Sequence, residues 1–211
     1  MKEYKLPIGC DVPETIILAD GDFPSHPLAL EWLRQCPYVV CCDGAANTYI
    51  RSGRMPEAIV GDGDSLLPDI KERYASLIHS EAEQETNDLS KAFRFCLSQE
   101  RKRITIMGAT GKREDHTIGN VSLLADYMEQ AEVSMMTDYG IFVPIMEDSM
   151  FESYIGQQIS VFNMNSTALS AEGLAYPLSV FTNWWQGTLN EALARHFIIR
   201  TEGKVLVFRV F

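Results

Sequence analysis

The sequence predicts an α/β fold: a parallel, right-handed sheet with helices between its strands, followed by a small antiparallel β domain. Three observations predict it. Short apolar runs alternate with helical patterns as far as about Asp138, the order expected of β-α-β crossovers. Beyond Asp138 strand-like runs continue, separated by turn residues and without a comparable helical pattern. Five acidic or glycine-containing segments each follow an apolar run. If those runs are parallel strands, all five segments lie at the sheet edge where open α/β folds bind ligands.

The runs at 14–19, 38–42, 58–60, 103–107 and 133–137 have the length and β-branched content of buried strands. Between them, 27–35 carries Leu28, Leu30 and Leu33 as apolar helix contacts, and 45–52 and 68–77 offer two more crossovers. In 86–99 the apolar residues Leu89, Ala92, Phe93, Cys96 and Leu97 recur at helical spacing and define one buried face. Asp88 and Lys91 then fall together on the polar side near the helix start, with Thr86 or Asn87 as N-cap. A further helix at 117–129 buries Ile118, Val121, Leu124, Ala125 and Met128 and has Asp115 and His116 at its entrance. The runs 142–146, 158–162, 196–200 and 204–211 read as strands of the β domain. The expected domains are therefore 1–138 and 139–211.

A chain of 211 residues with 46% apolar content is long enough to bury a substantial core. Its formal charge of −11 opposes the phosphate backbone of nucleic acid and an anionic membrane surface, so neither is an expected partner. The N-terminus has no signal-peptide pattern and no segment forms a membrane-length apolar run. A soluble, cytoplasmic protein is expected. Cys10, Cys36, Cys41, Cys42 and Cys96 show no metal or redox spacing and read as reduced structural thiols.

The five edge segments carry the chemistry. They are Asp20-Gly21-Asp22, Asp43-Gly44-Ala45-Ala46-Asn47, Gly61-Asp62-Gly63-Asp64-Ser65, Gln84-Glu85-Thr86-Asn87-Asp88, and the stretch from Gly108 to His116. Asp20 joins the candidate nucleotide-binding residues at this edge. Asp62 and Asp64 alternate with glycines, offering two carboxylates to one hard cation. Magnesium suits such a site because it takes one or two carboxylates and shares substrate phosphates. Asp88 is the third carboxylate of this reading and Asp43 an outer-sphere partner, although the same acidic string also serves as a turn or helix cap. Gly108 and Gly111 permit close backbone approach, and Lys112 and Arg113 offer cations to phosphate oxygens ahead of a helix N-terminus. The spacing is not that of a Walker A loop. His116 is either a general base or a partner for the helix start and Asp115.

Taken in order, Asp43-Gly44-Ala45-Ala46-Asn47, Gly61-Asp62-Gly63-Asp64-Ser65, the run from Glu83 to Lys91, and Gly111-Lys112-Arg113-Glu114-Asp115-His116 followed by Asn120 resemble the ordered signatures of the thiamine pyrophosphokinase family. The resemblance covers about residues 15–130 and continues more thinly at Gly173-Leu174-Ala175-Tyr176-Pro177-Leu178. It implies a Rossmann-like N-terminal sheet with flanking helices and a C-terminal β-sandwich that closes the thiamine site across a homodimer. It also implies Mg-dependent transfer of the terminal diphosphate of ATP, as co-substrate, to the hydroxyethyl oxygen of thiamine, with AMP as the other product. By motif, Asp62, Asp64 and Asp88 are the expected metal and phosphate-positioning carboxylates, and Asp43 and Asn47 line the cleft. Lys91, Arg113, Asp115 and His116 complete the catalytic set, and Gly108, Gly111, Lys112 and Asn120 bind nucleotide. The sequence departs from the family pattern at Glu83, Glu85, Asn87 and Lys112, where the family has Asp, Asp, Thr and Gly.

Trp184 and Trp185 lie where the resemblance places a substrate-facing segment, and their faces suit a cationic thiazolium or a flat pyrimidine. In a strand the two rings would point to opposite faces, one toward the core and the other toward an interface or ligand. Three other readings compete: a pyrophosphokinase acting on another alcohol such as a pterin, a non-catalytic nucleotide sensor, and a Mg-dependent phosphohydrolase.

Overall fold

The computed structural model describes residues 1–7, 11–80 and 85–211; Cys10, Glu83 and Gln84 lie outside the described residues. Two compact units divide the chain, Gly9–Asp138, and Met1–Ile8 with Tyr139–Phe211. In chain order the first strand, β1 (Lys2–Tyr4), belongs to the second of these units. The other unit runs β2 (Thr15–Leu18), α1 (Pro27–Gln35), β3 (Val39–Cys42), α2 (Ala45–Arg51), β4 (Ala58–Gly61), α3 (Pro68–Arg73), β5 (Ile78–Ser80), α4 (Asp88–Ser98), β6 (Arg103–Met107), α5 (Glu114–Tyr127) and β7 (Glu132–Met136).

Its strands lie in the order β7-β6-β2-β3-β4-β5, and every neighbouring pair is parallel. Ile17, fully buried in β2, is opposite Val40 on one side and Ile106 on the other. The chain first builds outward from β2 to β5 and then returns to add β6 and β7 beyond β2. This reversal makes the gap between β2 and β6 a topological switch point, where ligands of such sheets sit.

The helices show where local pattern suffices and where packing decides. In α4 the Asn87 side chain accepts from Ser90 N at 2.9 Å, fixing the N-cap. Leu89, Ala92, Phe93 and Cys96 are buried as their spacing predicts. Lys91, assigned from sequence to a polar face, is only 3% exposed. It lies toward the strand ends, where the Asp88 carboxylate accepts its charge. α5 begins three residues earlier than expected, so Asp115 and His116 occupy its first turn. Its frame is set by Tyr127, which stacks on Phe93 at 3.9 Å and shares a 2.8 Å hydrogen bond with Ser90. Facing Leu124 and Tyr127 inward turns Ile118 to solvent, at 59% exposure. The expected helix at 68–77 ends at Arg73, passes through a 3-10 turn at Ala75–Leu77, and gives way to the unforeseen edge strand β5. Burial drives up the thiol pKa of Cys41, Cys42 and Cys96, the last to about 12, as expected of structural thiols.

The other unit continues with β8 (Gly140–Ile145), β9 (Ser149–Glu152), β10 (Gln158–Asn163), β11 (Leu169–Glu172), β12 (Asn190–Glu191), β13 (His196–Thr201) and β14 (Val205–Val210). One sheet is β1-β9-β13-β11, and the strands β12-β10-β14-β8 adjoin in the other. Both supply a common apolar core that includes Val143, Phe151, Val161, Phe197 and Val207, so the unit is a β-sandwich. Tyr4, Phe151 and Phe197 stack in series at 4.8 and 5.0 Å. This explains why Lys2–Tyr4, placed by the sequence in the first domain, pairs in parallel with Ser149–Phe151 instead. Buried Arg209 donates to Lys5 O and Glu152 O, both at 2.9 Å, and ties the same segment down. Among the described residues no helix is long and apolar enough to cross a membrane.

Candidate active site

At the switch point the loops after β2 and β6 are joined backbone to backbone. Ala19 N donates to Met107 O at 2.8 Å, Gly21 N to Gly108 O at 2.6 Å and Asp22 N to Thr110 O at 2.9 Å. A Cβ on Gly21 would stand 2.4 Å from both Gly108 O and Thr110 O, so the two main chains meet only because this residue is glycine. Gly108 turns the second loop at φ +64, again in glycine's favoured territory.

Beside this junction lies a cavity of about 620 Å³. Its lining includes Asp20, Asp43, Asp62 and Asp88 as anions, Lys91, Lys112 and Arg113 as cations, and Gly111, His116 and Asn120. Five loops that are distant in sequence therefore bring opposite charges to one place, because their strands all end at the same sheet edge.

Asp43 is the most buried of the four lining aspartates. It follows β3 in a left-handed backbone at φ +32 and is 4% exposed. Oδ2 accepts from Ser65 N at 3.1 Å, whereas Oδ1 is buried without a hydrogen-bond partner. Burial raises the Asp43 pKa; the Asp88 and Asp62 carboxylates push the same way, against the bond from Ser65. An unsatisfied buried carboxylate oxygen near two more carboxylates has the chemistry of a hard-cation ligand. Among the described residues no three His, Cys, Asp or Glu side chains are already gathered to hold a metal. Magnesium, which takes one or two carboxylates and completes its shell with substrate phosphates and water, suits such carboxylates.

The remaining carboxylates divide by their partners. Asp88 Oδ1 is 3.1 Å from Lys91 Nζ, pairing a half-buried acid with a buried cation. Asp62 Oδ1 accepts from Asp64 N at 3.1 Å, which turns the loop and presents Asp62, not Asp64, to the cavity. Lys71 Nζ donates to Gly63 O at 2.8 Å and steadies that turn. Arg113 donates twice to Asp115, at 3.0 and 2.5 Å, and holds that carboxyl below its usual range. Lys112 Nζ reaches across to Asp20 O at 2.9 Å and Asp20 Oδ1 at 3.1 Å.

Several expected site residues stand elsewhere. Asp64, Asn47, Gly108 and Asp115 do not line the cavity. Asn47 spends its amide on Ser65 O at 2.8 Å and Leu67 N at 3.0 Å, so it braces the acidic loop from behind. Asp115 is occupied by Arg113 and by His116 N at 2.9 Å, and Gly108 serves the loop junction. Ser65, Thr86 and Asn87 line the cavity without having been singled out as ligands. The sequence signal for them was only their place next to the acidic strings. Trp184 and Trp185 lie in the other unit, in a 3-10 helix (Trp184–Gly187) and not in a strand, because Asn183 and Gln186 close a capping box. Strand alternation therefore does not apply to them. Trp184 meets Phe162 edge-on at 6.0 Å, while Trp185 is 73% exposed.

Comparisons with known proteins accord with this arrangement. A family model described as the catalytic domain of thiamin pyrophosphokinase matches residues 29–136, and one described as its substrate-binding domain matches residues 140–208. Thiamine pyrophosphokinase 1 of Oryza sativa subsp. japonica is 30% identical over a match covering 49% of this chain and 49% of that protein. Thiamin pyrophosphokinase 1 of Caenorhabditis elegans is 30% identical, with 48% and 45% covered. The chain spans about half the length of the curated relatives it matches. In fold it is similar to thiamin pyrophosphokinase from Candida albicans, with a TM-score of 0.81 at 18% identity, over 100% of this chain and 93% of that one. The Bacillus subtilis enzyme gives 0.77 at 20% identity, over 93% and 98%.

Proposed function

The chain belongs to the thiamin pyrophosphokinase family, and from that premise we propose that it transfers diphosphate from ATP to the hydroxyl of thiamine. The thiamine hydroxyl gives up its proton, in net balance to solvent, as its oxygen bonds to the β-phosphorus; the bond between that phosphorus and the α,β-bridging oxygen breaks, and AMP leaves. The observation that carries this reading is the convergence of Asp43, Asp62 and Asp88 with Lys91, Lys112 and Arg113 in one cavity at the switch point. Diphosphoryl transfer asks little covalent work of a protein and depends on alignment and charge neutralisation.

In this reading Asp43, Asp62 and Asp88 would hold magnesium, and Asp64 could join through its loop. Bound magnesium would neutralise phosphate oxygens and polarise the phosphorus under attack. Lys91, through Asp88, fixes the position of that carboxylate and brings a cation to the transferring group. Arg113 and the amide edge of the Gly108–His116 loop receive the remaining phosphate charge, and Asp115 orients the Arg113 guanidinium. His116 and Asn120 border the cavity where the acceptor hydroxyl would lie, and Asn47 holds the loop that presents Asp62.

The β-sandwich supplies the thiamine-binding and dimerisation part of the proposal, with Trp184 and Trp185 offering aromatic faces to the substrate. Tyr139, Ile155, Tyr176, Trp185 and Leu189 are each more than half exposed there, which favours a homodimer. A cytoplasmic location suits the four free cysteines among the described residues.

The test is turnover of purified protein with ATP and magnesium, with and without thiamine. AMP and thiamine diphosphate should appear in equal amounts and only with thiamine. Equal turnover with a pterin alcohol would move the specificity to another acceptor. Phosphate or pyrophosphate release without any acceptor would make the protein a hydrolase.

A further inference from the structure

We propose that Lys112 and Asp20 form an anion-responsive clasp, in which an incoming triphosphate takes the Lys112 ammonium away from Asp20. The inference rests on the nucleotide reading above and adds a competing internal ligand to it. Lys112 stands at φ +56, a left-handed backbone that glycine adopts freely and a lysine rarely does. That conformation carries its side chain across the switch point from the loop after β6 to the loop after β2. There Nζ lies 2.9 Å from Asp20 O and 3.1 Å from Asp20 Oδ1. Both side chains are about half exposed. Both residues also border two spaces, the main cavity and a smaller one of about 120 Å³ that reaches Asp22, Phe23 and Thr48. The clasp therefore stands where the two spaces meet.

An exposed ion pair is weakly held, because water and salt screen it. A polyphosphate presents several charged oxygens and makes stronger charge-assisted bonds to an ammonium. Exchange of Asp20 for phosphate is thus favourable, and it leaves Asp20 as a charge that repels the same ligand when unpaired. The Asp20 carboxylate acts against nucleotide binding and the Lys112 ammonium acts for it. A ligand role for Asp20 on the metal would have the reverse sign.

Binding of α,β-methylene-ATP with magnesium, measured by calorimetry, separates the two. Asp20→Asn is expected to tighten binding about two- to fivefold, the scale of an exposed pair. Lys112→Gly, which suits the left-handed backbone and so keeps the loop, is expected to weaken it about tenfold to a hundredfold. In the double variant the gain from Asp20→Asn should shrink, since no ammonium remains to be released and only the repulsion by the unpaired carboxylate is relieved. Weaker binding by Asp20→Asn, or the same gain with and without Lys112, would overturn the clasp while the nucleotide reading stands. A parent protein that binds no nucleotide would remove both.

Discussion

Replacing Asp88 with asparagine is expected to lower thiamine-dependent AMP formation by about a hundredfold or more, the scale on which a preorganised charge at a reacting centre is felt. Asp88 opens α4, where the Asn87 cap fixes the first turn, and its carboxylate lines the cavity 3.1 Å from the buried Lys91 ammonium. Asparagine keeps the volume but removes the charge, so the proposed magnesium site loses a carboxylate and Lys91 loses the carboxylate 3.1 Å away. The fold should survive, since the apolar face of α4 is untouched. The loss should appear in kcat at saturating ATP and magnesium, with the far-UV spectrum unchanged. Turnover within about threefold of the parent would remove Asp88 from the reacting centre.

Asp43→Asn is expected to make the metal-free protein more stable and to abolish its response to magnesium and nucleotide. The native carboxyl has its pKa raised by burial and by Asp88 and Asp62. A carboxyl raised in this way contributes its full stability below the ordinary carboxylate range and loses it as pH rises through the raised value. At neutral pH the ionised form therefore strains the folded state. Asparagine removes that charge, still accepts from Ser65 N, and tolerates the left-handed backbone at this position. The melting temperature without metal should rise by a few degrees, on the order expected for a change of about 1 kcal/mol, and the gain should vanish in acid, where the native carboxyl is neutral. Magnesium with α,β-methylene-ATP should stabilise the parent and leave the variant unmoved. An Asp43→Asn variant that melts below the parent at neutral pH would show that the raised pKa is not felt in the fold.

The parallel sheet was legible because its strands are apolar runs of distinctive composition separated by helical spacing; β6, Arg103–Met107, has the predicted bounds. The five segments at its carboxyl edge were legible for the same reason, since strand direction alone collects them. What the local pattern lacked was long-range partnership. β1 is an ordinary N-terminal tripeptide until Tyr4 meets the Phe151–Phe197 stack. Lys91 reads as a surface residue until the fold buries its ammonium beside the half-buried Asp88 carboxylate. Within the site, residue type could not say which of two neighbouring carboxylates enters the cavity. The Asx turn at Asp62 decides that in favour of Asp62 over Asp64, and the amide contacts of Asn47 turn a cleft candidate into a brace.

In the proposed reaction, carboxylates from three separate loops hold magnesium so that a triphosphate is bound at the switch point between β2 and β6. The most direct measurement is calorimetric titration of α,β-methylene-ATP into the protein with magnesium and again with chelator, for the parent and for Asp62→Asn. Binding to the parent should depend on magnesium, and that dependence should be lost in the variant. Equal affinity with magnesium and with chelator, or an Asp62→Asn variant that keeps the full magnesium effect, would contradict it.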